Sequence, residues 1–312
     1  MSDIWTIRAA LDWTIGYLER KGDAHPRLSA EWLMAEATGL ARIDIYVNFD
    51  KPLTGEERAV LREYVSRRGT GEPLQLISGR APFRYLTLQV VPGVLIPRPE
   101  TEVLVSEALA ALNLPRVSDH VHHGEEGEHV VKACLPSINV IDLCTGSGCI
   151  ACAIASEYPA ARVLALDIAS EAVELTRRNA AMCSVSERVE VRTSDLLDAV
   201  TAEERGSFDL VISNPPYIPS TVMETLDKEV SDFEPRLALD GGSDGLEVFR
   251  RFVSDVYECL APGGVLAVEL FETALTAAEQ LLQDAGFKDT RIVHDLADHP
   301  RVLLARRPQE KE

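Results

Sequence analysis

The chain has 312 residues, 46% of them hydrophobic and 26% charged, a globular composition with room for two domains. Its 31 basic residues are outnumbered by 50 acidic ones, a net charge of -19 that opposes a duplex nucleic-acid surface, which needs a basic footprint. No apolar run approaches the roughly 18 to 20 residues of a membrane span, and Met1-Ser2-Asp3-Ile4-Trp5 is no basic segment leading into an apolar core. Neither a membrane segment nor a secretory signal is therefore expected, and the expected location is cytoplasmic.

Residues 1–70 predict a small helical bundle. Ile4, Ile7, Leu11, Ile15 and Leu18 recur at helical spacing, and Leu28, Trp32, Leu33 and Ala37 mark a second helix. Thr54-Gly55-Glu56-Glu57 is a capping box opening a helix through Val60, Leu61, Tyr64 and Val65. This segment carries no catalytic constellation, so its expected role is substrate recognition. Gly69-Thr70-Gly71-Glu72-Pro73 breaks the last helix. Residues 71–97 read as a β-hairpin linker, with Phe83, Tyr85, Thr87, Gln89 and Val91 on one side of an alternating run. Ile96-Pro97-Arg98-Pro99-Glu100-Thr101-Glu102 then leads into an amphipathic helix at 103–112.

Residues 115–136 interrupt the pattern with His120, His122, His123 and His129 among glycines and glutamates. A polar surface insertion accounts for them more simply than a metal site. From Ile138 the chain alternates strand and helix, with strands predicted at 138–143, 162–167, 189–193, 208–213, 265–270, 288–293 and 302–305. The expected fold over 98–312 is therefore α/β: a doubly wound, Rossmann-like, mostly parallel seven-stranded sheet.

Val140-Ile141-Asp142-Leu143-Cys144-Thr145-Gly146-Ser147-Gly148 is a strand entering a Gly-rich turn, and a helix follows from Cys149. Gly146 and Gly148 let backbone approach a ligand closely. Asp167 ends the next strand, 19 positions beyond Gly148, where a carboxylate can bind both hydroxyls of a ribose. Asp195, in Ser194-Asp195-Leu196-Leu197, follows the third strand and is placed to accept from an adenine amino group. The run 146–151 also fits the dinucleotide pattern G-x-G-x-x-G/A. Asp142 before the loop favours a cationic amino-acid group over a pyrophosphate, which points to S-adenosylmethionine. Cys144, Cys149 and Cys152 match part of an iron–sulfur spacing, and Cys149 and Cys152 form a C-x-x-C pair. Packing on a buried helix explains them, and no metal is expected.

Asn214-Pro215-Pro216-Tyr217 follows a buried strand at 208–213. Two prolines end the strand and stiffen the turn, which presents the Asn amide and the Tyr ring at the strand's carboxyl end. The Asn214 oxygen and the Pro215 carbonyl can each accept one N–H of a planar amide nitrogen, and the Tyr217 face can cover its plane.

Together these residues resemble the class I S-adenosylmethionine-dependent methyltransferases. More narrowly the chain resembles the release-factor (protein-glutamine N5) methyltransferases of the PrmC/HemK family. The resemblance runs from Glu72 onward through Pro73–Gly79, Leu95–Glu102, Asp142–Gly148, Asp167, Asn179-Ala180, Ser213–Tyr217, Phe233–Leu239, Gly241–Gly245 and Pro262–Gly264. It implies methylation of the side-chain amide of the glutamine in the Gly-Gly-Gln motif of peptide-chain release factors. It also implies that Cys144, Thr145, Gly146, Ser147 and Gly148 line the methionine end of the cofactor, that Asp167 binds its ribose, that Leu196 lies near its adenine, and that Asn214 to Tyr217 hold the glutamine. Cys144 stands where the family usually has Gly, and Glu269-Leu270-Phe271-Glu272 departs from a usual Glu-x-Gly. Competing readings are a ribosomal-protein glutamine methyltransferase, an adenine-N6 nucleic-acid methyltransferase, which shares Asn-Pro-Pro-Tyr, and a non-catalytic release-factor-binding module.

Overall fold

A computed structural model describes residues 4–113 and 135–309. The histidines expected in a surface insertion, His120 to His129, lie outside the described residues. Two compact units are present. One comprises the described residues up to Arg80 with Val90–Pro92 and Asp227–Phe233; the other comprises Ala81–Gln89, Gly93–Leu226 and the residues from Glu234 onward.

The first unit contains α1 (Ile7–Lys21), α2 (Pro26–Thr38), α3 (Arg42–Val47), α4 (Gly55–Arg68) and α5 (Leu74–Ser78). Ile7, Leu11, Leu18, Leu33, Leu61 and Val65 form its core, as their spacing predicts, together with Met34, whereas Ile4 and Leu28 of the same patterns are exposed. The capping box opens α4 as expected: Glu57 N–H donates to Thr54 Oγ1 at 3.1 Å, and Thr54 N–H donates to Glu57 Oε2 at 2.7 Å. Buried Glu31 accepts from Arg27 and Arg42 and so ties α2 to α3.

A hairpin of β1 (Arg80–Phe83) and β2 (Leu86–Gln89) follows. The sequence places Phe83 and Tyr85 on one side of a continuous run; the chain instead reverses between them. Phe83 is 1% exposed and Tyr85 85% exposed. Arg84 takes a left-handed φ of 52°, and its guanidinium bonds Glu157, Ser106 and the Glu102 carbonyl. That turn is set by tertiary ion pairing, so turn-forming residue types do not mark it.

The second unit continues with α6 (Pro99–Ala111), β3 (Ile138–Leu143), α7 (Cys149–Glu157), β4 (Ala161–Asp167), α8 (Ser170–Met182), β5 (Val189–Thr193) and β6 (Phe208–Ser213). After the short α9 (Lys228–Ser231) of the first unit come α10 (Glu247–Cys259), β7 (Leu260–Glu269), α11 (Leu275–Asp284), β8 (Lys288–His294) and β9 (Pro300–Arg306). The sheet has seven strands in the order β5-β4-β3-β6-β7-β9-β8. The first five are parallel; β9 runs antiparallel between β7 and β8. This is the expected doubly wound, mostly parallel α/β sheet. β7 begins earlier than expected because Leu260 already pairs with Phe208 before the Pro262-Gly263-Gly264 segment, where the register shifts.

Both sheet faces are covered, so the central strands read as continuous apolar runs. Val140, Val163, Leu210 and Ile212 pack toward α6, α7 and α8. Ile141, Leu143, Leu166 and Val211 pack toward α10 and α11. Strand order reverses beside β3, with β4 and β5 to one side and β6 and β7 to the other. In open α/β sheets that switch point creates a crevice at the carboxyl ends of the strands.

Candidate active site

At the end of β3 the backbone turns sharply, with left-handed φ of 61° at Cys144, 57° at Gly146 and 77° at Gly148. Asp142, fully buried beneath the loop, holds it closed: Oδ2 accepts from the Thr145 hydroxyl at 2.6 Å and from Ala151 N–H at 3.0 Å. Its other oxygen, Oδ1, has no hydrogen-bond partner. Burial pushes the Asp142 carboxyl up to about 7. From α8, Thr176 donates to the Gly146 carbonyl at 3.1 Å and Asn179 Nδ2 to the Ser147 carbonyl at 2.8 Å. A Cβ on Gly148 would sit 2.7 Å from Thr176 Cγ2, so no larger residue fits there without a shift. The left-handed φ at Cys144 is the physical reason glycine suits that position. Its thiol packs against the sheet core, and burial pushes its pKa up. Cys149 and Cys152 point into the buried face of α7, 8% and 0% exposed. Among the described residues, no cluster of His, Cys, Asp and Glu is arranged to hold a metal ion.

A cavity of about 900 Å3 opens above this loop. The carboxyl ends of four adjacent strands supply its wall: Cys144 to Ser147 after β3, Asp167 at the end of β4, Asp195 and Leu196 after β5, and Asn214 after β6. Asp167 is anchored by backbone, with Oδ2 accepting Gly146 N–H at 2.8 Å and Oδ1 accepting Ala169 N–H at 2.9 Å. Burial raises its pKa and these two bonds oppose the rise. Each oxygen keeps a lone pair for a further donor. Leu196 adopts a φ of 50°, in a turn where Ser194 Oγ donates to the Leu196 carbonyl at 2.7 Å.

The charges on the wall restrict the ligand. Three arginines line the cavity, and each is paired with a carboxylate: Arg98 with Glu234, Arg236 with Asp240 and Arg251 with Asp195. A pyrophosphate would meet Asp167 with no unopposed cation among the lining residues. A neutral or cationic ligand with a hydroxylated ring suits the site better.

Asn214 lies at the cavity rim, tied to the sheet's switch point by Ser213, whose hydroxyl donates to the Leu143 carbonyl at 2.7 Å. The backbone after it is clamped by a glycine-rich segment. Ile218 N–H donates to the Leu239 carbonyl, Gly241 N–H to the Ile218 carbonyl, and Ser220 N–H to the Gly242 carbonyl, each at 2.8 Å. A Cβ on Gly241 would lie 2.6 Å from Tyr217 Cα, and one on Gly245 would lie 2.4 Å from the Tyr217 carbonyl oxygen. Gly245 also has a φ of 79°. Gly245→Ala is therefore expected to lose about 1–3 kcal/mol of stability, from left-handed strain and a close backbone contact, and most of the turnover. A thermal melt with steady-state kinetics checks this; wild-type values for both would contradict it.

The structure thus brings Cys144, Thr145, Gly146, Ser147, Asp167, Asp195, Leu196, Asn214 and Pro216 onto one wall. Of the residues singled out from sequence, Asp142, Gly148, Pro215 and Tyr217 do not line this wall. Asp142 is behind the loop. Asp195 is on the wall, and its two oxygens also accept from Arg251, at 2.9 and 2.8 Å. Tyr217 is half-buried with its hydroxyl donating to Glu269 at 2.9 Å, instead of forming part of the wall. Two polar residues that motif reading left without a role meet at this turn: Thr101 Oγ1 accepts from Asn214 Nδ2 at 3.0 Å and donates to Glu269 Oε2 at 2.8 Å. Thr101 and Glu269 are separated by 168 positions, so only a common segment motif at each end could have flagged them.

Comparison with known proteins adds family information. The chain matches the family model described as PrmC N-terminal domain over residues 9–79, and that described as methyltransferase small domain over 126–229. It is 42% identical to the release factor glutamine methyltransferase of Geobacter sulfurreducens, an alignment covering 97% of this chain and 98% of that one. It is 40% identical to the protein of the same name from Streptomyces coelicolor, over 92% of each chain. A solved structure of the hMettl16 catalytic domain, in complex with MAT2A 3'UTR hairpin 6, is similar with a TM-score of 0.52 and 12% identity, covering 82% of each chain. At that identity the likeness concerns the fold.

Proposed function

Because the chain belongs to the release factor glutamine methyltransferase family, we propose that it transfers a methyl group from S-adenosylmethionine to the side-chain amide nitrogen of the glutamine in the Gly-Gly-Gln motif of peptide-chain release factors. The observation that carries this reading is the Asn214 amide, whose nitrogen is taken by Thr101 at the rim of a cavity walled by Asp167 and the Gly146 loop. With Nδ2 engaged, Oδ1 is left to accept an N–H.

The cofactor fits the residues present. Asp142 Oδ1 is a buried oxygen without a hydrogen-bond partner, and its carboxylate favours a cation nearby. Asp167 would hold the ribose hydroxyls, the 144–148 loop the methionine end, and Leu196 the adenine face. S-adenosylmethionine, when bound, supplies the electrophilic methyl. The protein's own task is positioning, because an amide nitrogen is a poor nucleophile with its lone pair delocalised into the carbonyl. Asn214 Oδ1 and the Pro215 carbonyl would each accept one hydrogen of the substrate amide, fixing the nitrogen's orientation. They also favour departure of a proton as the nitrogen gains positive charge. Among the described residues lining the cavity there is no histidine to act as a dedicated base. The helical unit would recognise the body of the release factor, and the work would be done in the cytoplasm. Among the described residues no helix is long and apolar enough to cross a membrane.

A pH-linked expectation follows from Asp142. Its pKa of about 7 in the fold exceeds the 3.8 of the free group. Between those values the unfolded chain has lost a proton that the fold retains, so stability from this group falls as pH rises through that window. A cationic ligand favours the ionised form, so binding of S-adenosylmethionine near about pH 6 should release protons. Calorimetry in buffers of different ionisation enthalpy should show this release in the wild type and its loss in Asp142→Asn. Equal release in both would contradict the assignment.

The reaction itself is tested by incubating the protein with labelled S-adenosylmethionine and a purified release factor, beside the same factor with its Gly-Gly-Gln glutamine replaced. Label on the first and none on the second is expected. Label on a ribosomal protein or on naked DNA, with the release factor unlabelled, would replace this reading with one of its competitors.

A further inference from the structure

Asn214 does not stand alone. Its Nδ2 donates to Thr101 Oγ1 at 3.0 Å, Thr101 donates to Glu269 Oε2 at 2.8 Å, and Tyr217 donates to Glu269 Oε1 at 2.9 Å. Thr101 is 1% exposed and Glu269 0% exposed, so water does not compete for these bonds. The two partners come from the first turn of α6 and the carboxyl end of β7.

The direction of every proton in this chain is determined at one end. An ionised carboxylate only accepts. Glu269 accepts from both the Thr101 and Tyr217 hydroxyls, and these two bonds oppose the rise in its pKa that burial causes. Thr101, having spent its only proton, can only accept from Asn214, so the NH2 of Asn214 faces Thr101 and its oxygen faces away. A buried carboxylate with two hydroxyl donors and, among the described residues, no cation at hydrogen-bond distance is costly to keep unless it serves to orient its neighbours.

We propose that Glu269 and Thr101 are positioning residues that lock the Asn214 amide with its oxygen toward the substrate, and so make the site select a primary amide over a carboxylate. This rests on the reading of the cavity as an amide methyltransferase site. An amide presents N–H groups to Asn214 Oδ1 and the Pro215 carbonyl; a glutamate in the same place would present only acceptors to two acceptors. In Glu269→Gln the new NH2 can donate to Thr101. Thr101 then donates to Asn214 instead of accepting from it, and the Asn214 amide turns to offer its NH2 to the substrate.

The test uses the full-length protein, S-adenosylmethionine and a release factor that the wild type methylates; absence of wild-type methylation would sink the functional reading itself, before the variants are made. Given wild-type turnover, Glu269→Gln and Thr101→Val are each expected to lower kcat roughly ten-fold or more, the scale of one amide hydrogen bond turned from attraction to repulsion. The dissociation constant for S-adenosylmethionine should be unchanged, which also reports that the variants are folded. Thr101→Ser keeps the hydroxyl and should restore turnover. In an Asn214→Ala background Thr101→Val should cause no further loss, because it acts only through Asn214. Glu269→Gln should also bind the release factor carrying glutamate at the target position more tightly, relative to the glutamine form, than the wild type does. The proposal is overturned if Glu269→Gln keeps wild-type kcat, if Thr101→Ser is as impaired as Thr101→Val, or if Thr101→Val and Asn214→Ala losses simply multiply.

Discussion

Asn214→Ala is expected to lower kcat on the order of 100- to 1000-fold, the range seen when one preorganised polar group is removed from a reacting centre. The affinity for S-adenosylmethionine should change little, because the loop at 144–148, Asp167 and Leu196 remain in place. The substrate nitrogen must be aimed along the line of displacement, and proximity and orientation can supply about 7–11 kcal/mol of a barrier. Alanine at this position removes an acceptor and leaves the amide free to rotate. Thr101 keeps Glu269 as its partner, so the fold loses only one hydrogen bond. Single-turnover kinetics with saturating cofactor separate the two effects. Equal losses in turnover and cofactor affinity would remove Asn214 from the substrate clamp.

Asp167→Ala should act in the opposite way, weakening S-adenosylmethionine binding by on the order of 100-fold with a smaller effect on turnover at saturation. Hydrogen bonds to a charged group contribute about 1.5–3 kcal/mol each, and two ribose hydroxyls are at stake. The same substitution deprives Gly146 N–H and Ala169 N–H of their acceptor, which loosens a loop already held in left-handed conformations. Asp167→Asn keeps an acceptor for one of these donors and should lie between alanine and the wild type. An unchanged dissociation constant in Asp167→Ala would count against a ribose role.

Much of the catalytic unit was readable from local pattern. Strand 138–143 followed by glycines at 146 and 148 gives both the sheet and the close-approach loop, because apolar runs, glycines and helix starts are local signals. Long-range pairings were not readable. The hairpin turn at Arg84 depends on Glu157, a partner 73 positions away. The Thr101–Glu269 bond joins residues that only the folded sheet brings together. Gly241 and Gly245 were visible as a motif, yet their reason, the approach of Tyr217 backbone, belongs to tertiary structure. Asp195 and Tyr217 show the converse limit. Asp195 lines the cavity but also pairs with Arg251, and Tyr217 turns its hydroxyl to Glu269 instead of to the wall. Residue type and position along a strand do not reveal such competing partners.

The central claim is that this site methylates an amide nitrogen on one glutamine. The most direct measurement is to treat a purified release factor with the protein and S-adenosylmethionine, digest it, and locate the added methyl by tandem mass spectrometry. The account predicts one methyl group on the side chain of the Gly-Gly-Gln glutamine, stable to mild base as an N-methyl amide is and an ester is not. A methyl on another residue, or a base-labile methyl ester, would contradict it.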